Sequence, residues 1–103
     1  MQTHTAKRVE ITIEAVMQRR LTEALESAEV SGYTIHPVLG GSGRSGHWSR
    51  EGQVSRASGM VTVVCIIRPE RLDPLLDAAF SILDRHIGVV NVTDCVVMRA
   101  ERF

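Results

Sequence analysis

The hydrophobic period of this chain changes in the same order twice. Val9, Ile11 and Ile13 alternate with Arg8, Glu10 and Thr12, the pattern of a strand with one wet face. Over residues 14–30 the spacing becomes helical. Val16, Met17, Leu21, Ala24, Leu25 and Ala28 share one side, and Glu23, Glu26 and Glu29 stay polar. Ser31-Gly32 reads as the helix stop. Residues 33–39 alternate again, and Pro37 confines them to a sheet edge. After a segment without periodicity, residues 60–67 are almost continuously apolar and β-branched, as expected of a central strand buried on both faces. Leu72, Leu75, Leu76, Ala79, Phe80 and Leu83 mark a second amphipathic helix with Pro74 in its first turn, and residues 89–98 form the last strand.

Two strand–helix–strand halves of similar length predict an α+β, ferredoxin-like βαββαβ sandwich. Right-handed crossovers place both helices on one face of a four-stranded antiparallel sheet with strand order 2-3-1-4. The 103 residues are expected to form a single domain, 1–103. A domain of this size buries only roughly 60–65% of the surface its unfolded chain exposes. Its uncovered sheet face carries valine and isoleucine, so self-association is the economical way to cover it. In this topology Cys65 and Cys95 lie about 9–10 Å apart, too far for a disulfide, and read as free thiols of a reducing compartment.

Several function classes are disfavoured. The net charge is zero, which argues against nucleic acid, and the scarcity of aromatics argues against base stacking on the central strands. No apolar run approaches the length of a membrane span, and residues 1–8 resemble neither a signal nor a transit peptide, so a cytoplasmic protein without membrane insertion is expected. His4, His36, His47 and His86 are scattered singly and predict no metal site. The carboxylates fall mostly on helix exteriors and read as solvated faces.

The chemistry concentrates in residues 40–59. Six of the eight glycines lie there, at 40, 41, 43, 46, 52 and 59, and the segment reads as a long loop without regular structure. Arg44, Arg50 and Arg56 face only Glu51 in charge. Residues 41–46 spell G-x-G-x-x-G with Arg44 inside, and glycine backbone beside a guanidinium suits an anion, most plausibly a phosphate. The dinucleotide-binding fold is excluded because no helix follows and Ile66 stands where the acidic residue belongs. A P-loop is excluded because His47 and Trp48 replace its Lys-Ser/Thr pair. No base or metal set supports a phosphate-ester hydrolase, and no enzyme activity is expected.

At this point the chain resembles the PII-like signalling proteins over nearly its whole length. Four local matches carry the resemblance. Gly32-Tyr33-Thr34 is similar to the family's entry into its second strand. Gly40-Gly41-Ser42-Gly43-Arg44 resembles the opening of the long T-loop, and Arg85-His86-Ile87-Gly88 a shortened B-loop. Residues 92–99, ending in Arg99, are similar to the last strand and its phosphate-contacting arginine. The glycine-rich opening looks most like the branch associated with carboxysomes and bicarbonate uptake.

The resemblance implies a homotrimer with an adenine nucleotide in each cleft between subunits. Thr34, Val63 and Val64 would hold the adenine, and Gly41, Gly43, Arg44, Gly88 and Arg99 the phosphates. It also implies bicarbonate near Arg44, Ser45 and Gly46, and a partner-binding loop carrying Trp48, Arg50 and Arg56. Gly88 is followed by Val89 and Val90 in place of the B-loop Asp-Gly-Lys, which favours ADP or AMP over ATP. Val97 replaces the first of the paired C-terminal arginines, and the loop has no tyrosine to modify. The expectation is a regulatory protein of inorganic-carbon metabolism, acting on a transporter or carboxysome component and carboxysome-associated. The alternative is a structural subunit of a bacterial microcompartment that binds protein and no nucleotide.

Overall fold

A computed structural model describes residues 2–30, 32–43, 46–49 and 59–99. Strand β1 (His4–Glu14) runs through a 3-10 turn (Ala15–Met17) into helix α1 (Gln18–Ser27). Strands β2 (Thr34–Pro37), β3 (Gly40–Gly43) and β4 (Gly46–Ser49) precede β5 (Met60–Ile67). A second 3-10 turn (Pro69–Arg71) leads into α2 (Leu72–Leu83), and β6 (Gly88–Val97) follows. The main sheet is antiparallel in the order β2-β5-β1-β6, the expected arrangement of the four core strands.

Alternation explains why the helices take one face. In β1, Val9, Ile11 and Ile13 are fully buried. Their register partners in β5 are Cys65, Val63 and Val61, which therefore point the same way. Met17, Leu21, Leu25, Leu75 and Ala79 close over this layer to form the core. The opposite face is mixed. Thr12 and Thr62 meet across β1 and β5 with their hydroxyls 2.9 Å apart, and Arg8 pairs with Glu10 at 3.0 Å. Val64 is buried there, whereas Ile66 is 41% exposed. The expectation that residues 60–67 are buried on both faces is thus corrected: only the helix side is sealed.

Local boundaries differ from the sequence reading for identifiable reasons. β1 begins at His4 because it pairs with β6 from His4↔Val97 to Ile13↔Gly88. Val16 and Phe80, assigned to the inner helix faces, are 60% and 65% exposed. Val16 lies in the 3-10 turn, where the rotation per residue differs from that of the helix. Ile82 packs on the core in α2, and Thr22 is buried in α1. Ser31-Gly32 does not stop α1. The left-handed residue is Glu29, at φ 63°, with Val30 N–H donating to the Leu25 carbonyl at 3.0 Å and Glu29 N–H to Glu26 at 3.0 Å. Arg71 fastens this cap, donating from Nη2 to Glu29 Oε2 at 2.8 Å and to the Ala28 carbonyl at 3.2 Å.

The largest correction concerns residues 40–59. β3 and β4 pair as an antiparallel hairpin from Gly40↔Ser49 to Gly43↔Gly46. Backbone hydrogen bonds make such a ladder without side chains, so a glycine-rich strand leaves no hydrophobic alternation to read.

Candidate functional site

The hairpin belongs to an excursion that leaves and re-enters the sheet at one point. Val38 N–H donates to the Met60 carbonyl at 3.2 Å, continuing the β2–β5 ladder by one bond. Ala15 N–H, at the end of β1, donates to the Gly59 carbonyl at 2.8 Å, and Gly59 is buried. The base is therefore clamped to the two strands beside it.

The turn before β6 reaches the same end of the sheet. Pro37 pairs with Val61, Val61 with Ile13, and Ile13 with Gly88, one row across all four strands. Gly88 has a steric reason to be glycine. A Cβ there would run into the Leu83 side chain and sit 3.1 Å from the Thr12 carbonyl oxygen. Glu14 ties the turn down: its Oε1 accepts from Ile87 N–H at 3.2 Å and lies 3.8 Å from His86 Nδ1. Sequence reasoning did not single out Glu14. Its signal was a carboxylate closing an otherwise alternating strand just before a helical run.

The remaining predicted residues spread along the sheet. Thr34 pairs with Val64, side by side on the open face, in a row with Glu10 and Asn91. That row lies three residues, about 10 Å, from the Gly88 row. Val63 is different: its side chain is fully buried among the helices, so it presents no side chain to a ligand on the open face. Gly41 stands opposite Trp48, and Gly43 opposite Gly46, in the hairpin. Arg99 lies past the far end of β6, with φ 67°. Arg44, Ser45, Arg50 and Arg56 lie outside the described residues, as does the side chain of Trp48.

A groove of about 620 Å³ opens at the Arg99 end, between the start of β1 and the close of β6. Thr5, Ala6, Lys7, Pro69, Asp94, Cys95 and Val96 line it, and Lys7 Nζ is paired with Asp94 Oδ1. Neither cysteine is bonded; Cys65 points into the core, while Cys95, opposite Ala6 of β1, points to the open face. Burial pushes the Cys65 thiol up to about 11. The Tyr33 hydroxyl donates to Glu26 Oε1 at 2.8 Å, which raises its pKa because the bond favours the neutral phenol. Among the described residues no three His, Cys, Asp or Glu side chains group to hold a metal, and no helix is long and apolar enough to cross a membrane.

The family model of the nitrogen regulatory protein P-II matches residues 6–102. The chain belongs to the P-II family. Within it, the excursion between β2 and β5 corresponds to the T-loop. Solved structures agree. CPII, a nitrogen regulatory PII-like protein from Thiomonas intermedia bound to ADP, AMP and bicarbonate, superposes with a TM-score of 0.89 at 28% identity, covering 99% of this chain and 96% of that one. CPII bound to ADP and bicarbonate gives 0.84 at 30% identity, covering 99% and 97%. A PII-like signaling protein from Thermus thermophilus, 23% identical, shares the fold with a TM-score of 0.80 over 100% and 99% of the two chains. The comparison with curated proteins gives no match.

Proposed function

We propose that this PII-like chain is a single-domain, non-enzymatic regulator. It binds ADP or AMP in clefts between three copies, with bicarbonate as co-ligand, and couples occupancy to the order of its T-loop. The observation that carries the reading is the separation of Gly88 from Arg99. Gly88 opens β6 and Arg99 lies beyond its close, eleven residues on, and the nine-residue rise of the strand alone spans roughly 30 Å. One nucleotide cannot touch both within one copy, but it can where the T-loop end of one copy meets the Arg99 end of the next. The uncovered sheet face supplies a surface for that meeting.

ADP, AMP and bicarbonate are taken from CPII, whose likeness extends over almost the whole chain. Thr34 and Val64 offer a hydroxyl and an apolar surface for the adenine, and Val63 contributes by holding β5 in place. Gly41, Gly43 and Arg44 face the phosphates, with Gly88 and Arg99 closing the site, and Ser45 and Gly46 assist Arg44 with bicarbonate. Trp48, Arg50 and Arg56 form the surface read by a protein partner in inorganic-carbon metabolism, a transporter or a carboxysome component. An ordered loop can be recognised where a mobile one is not, so a ligand that stabilises one loop state shifts the population the partner sees.

Calorimetry with ADP, AMP and ATP, with and without bicarbonate, tests the reading. ADP or AMP binds more tightly than ATP, because no B-loop lysine meets a third phosphate. Arg44→Ala lowers ADP affinity by about 10- to 100-fold, the loss expected for a charge-assisted contact of roughly 1.5–3 kcal/mol. Tighter binding of ATP, or unchanged affinity in the variant, overturns these assignments. No binding of any nucleotide favours a microcompartment structural subunit.

A further inference from the structure

We propose that Glu14 is a positioning residue that joins the B-loop to the base of the T-loop, so that the two segments move as one. Its functional consequence rests on the nucleotide reading above; its mechanics do not. Glu14 is the last residue of β1, and two tethers leave from adjoining positions. The side chain of Glu14 accepts from Ile87 N–H at 3.2 Å, with His86 Nδ1 at 3.8 Å from the same oxygen. The backbone N–H of the next residue, Ala15, donates to the Gly59 carbonyl at 2.8 Å. Gly59 precedes Met60, which pairs with Glu14 itself and accepts from Val38 N–H. One dipeptide thus touches the B-loop, the re-entry of the T-loop and, through Met60, its departure.

The Glu14–Ile87 bond is not needed to satisfy a buried group. Ile87 is 72% exposed and the bond lies at the surface, within reach of water. A carboxylate there does what water cannot: it ties the turn to a fixed point. That point is rigid because β1 is paired on both sides up to Ile13. A phosphate drawing the B-loop towards it would pull on Glu14, and the displacement would reach Ala15, Gly59 and Met60 across a few bonds. Gly88 sits where an added Cβ would meet the Leu83 side chain and the Thr12 carbonyl, so the end of the turn lies close to the sheet and to α2.

The test is amide hydrogen exchange on the nucleotide-free protein, comparing wild type, Glu14→Ala and Glu14→Gln. Glu14→Gln keeps an acceptor oxygen; Glu14→Ala removes it. In Glu14→Ala, exchange at Ile87, Ala15 and Val38 accelerates together by about tenfold or more, while Val9 and Ile11 in the core keep wild-type rates and so certify the fold. Glu14→Gln stays within about threefold of wild type. Acceleration at Ile87 alone, or at none of the three, overturns the joint. A parallel titration with ADP follows Trp48 emission. Wild type responds, whereas Glu14→Ala binds ADP with a response reduced at least twofold at saturation. A full response in Glu14→Ala overturns the coupling. Failure of wild type to bind ADP overturns the nucleotide reading instead, and the exchange data still decide the joint.

Discussion

At the scale of single residues, the two cysteines show how one side-chain type acquires two environments. Cys65 pairs with Val9 under the helices, whereas Cys95 pairs with Ala6 on the open face. Sequence reasoning kept them unbonded on strand spacing alone; their opposite orientations make the separation firmer. The burial of Cys65 has a measurable consequence. Its thiol is pushed up to about 11 in the folded state, while an unfolded chain releases that proton near about 8.5. Below the lower value both states hold the proton, and the thiol's contribution is fully present. As pH rises between the two, the unfolded state loses protons first, so stability falls. Chemical denaturation from pH 8 to 11 is expected to give a steeper decline for wild type than for Cys65→Ala. Parallel curves for the two proteins would mean that Cys65 is not kept protonated by the fold.

At the scale of elements, glycine had two different meanings that the sequence could not separate. In β3 and β4 it hides a hairpin, because backbone pairing leaves no trace in hydrophobic periodicity. At Gly88 it permits close packing of the start of β6 against the end of α2 and the Thr12 carbonyl. The resemblance marked Gly88 as a phosphate contact; the geometry gives it a steric duty as well. Gly88→Ala is expected to destabilise the protein by about 1–3 kcal/mol, the usual range for forcing an extra carbon into a packed site. Leu83→Ala should recover part of that loss, because Leu83 is the movable neighbour and the Thr12 carbonyl is not. Urea midpoints of the two singles and the double, at one protein concentration, decide this; strict additivity would show that the two positions do not meet. Most element assignments were legible, since β1, α1 and α2 each carry a strong period and β5 a continuous apolar, β-branched run. Helix ends were less so: Glu29 takes the left-handed position with help from Arg71, a contact 42 residues away in sequence.

At the scale of the whole molecule, the candidate site residues divide between two ends of one sheet. Gly88 and the T-loop base share a row with Pro37, Val61 and Ile13, whereas Arg99 lies beyond the pairing of His4 with Val97. A site that needs both ends needs more than one copy. For the proposed three-copy assembly, light scattering is expected to give three times the mass of one chain at micromolar concentration. A monomer that still binds ADP with Arg99 in contact would refute the shared cleft. The open face also predicts where copies touch: Ile66, at 41% exposed, and Val89, at 63%, should lose solvent access on assembly.

The sequence by itself determined the order of the four core strands and two helices, the four-stranded sheet and the one-sided helical layer, because each follows from side-chain patterning and the handedness of crossovers. It also concentrated glycine and arginine in one segment and so pointed to an anion. Only the tertiary structure decided which residues share a row or an end of the sheet. Register put Thr34 beside Val64 on the open face, turned Val63 into the core and brought Glu14 under Ile87. The physical reason is that period is a local property, written in every few residues. Register and long-range hydrogen bonds are set by how distant strands settle against one another, and no short stretch of sequence records that.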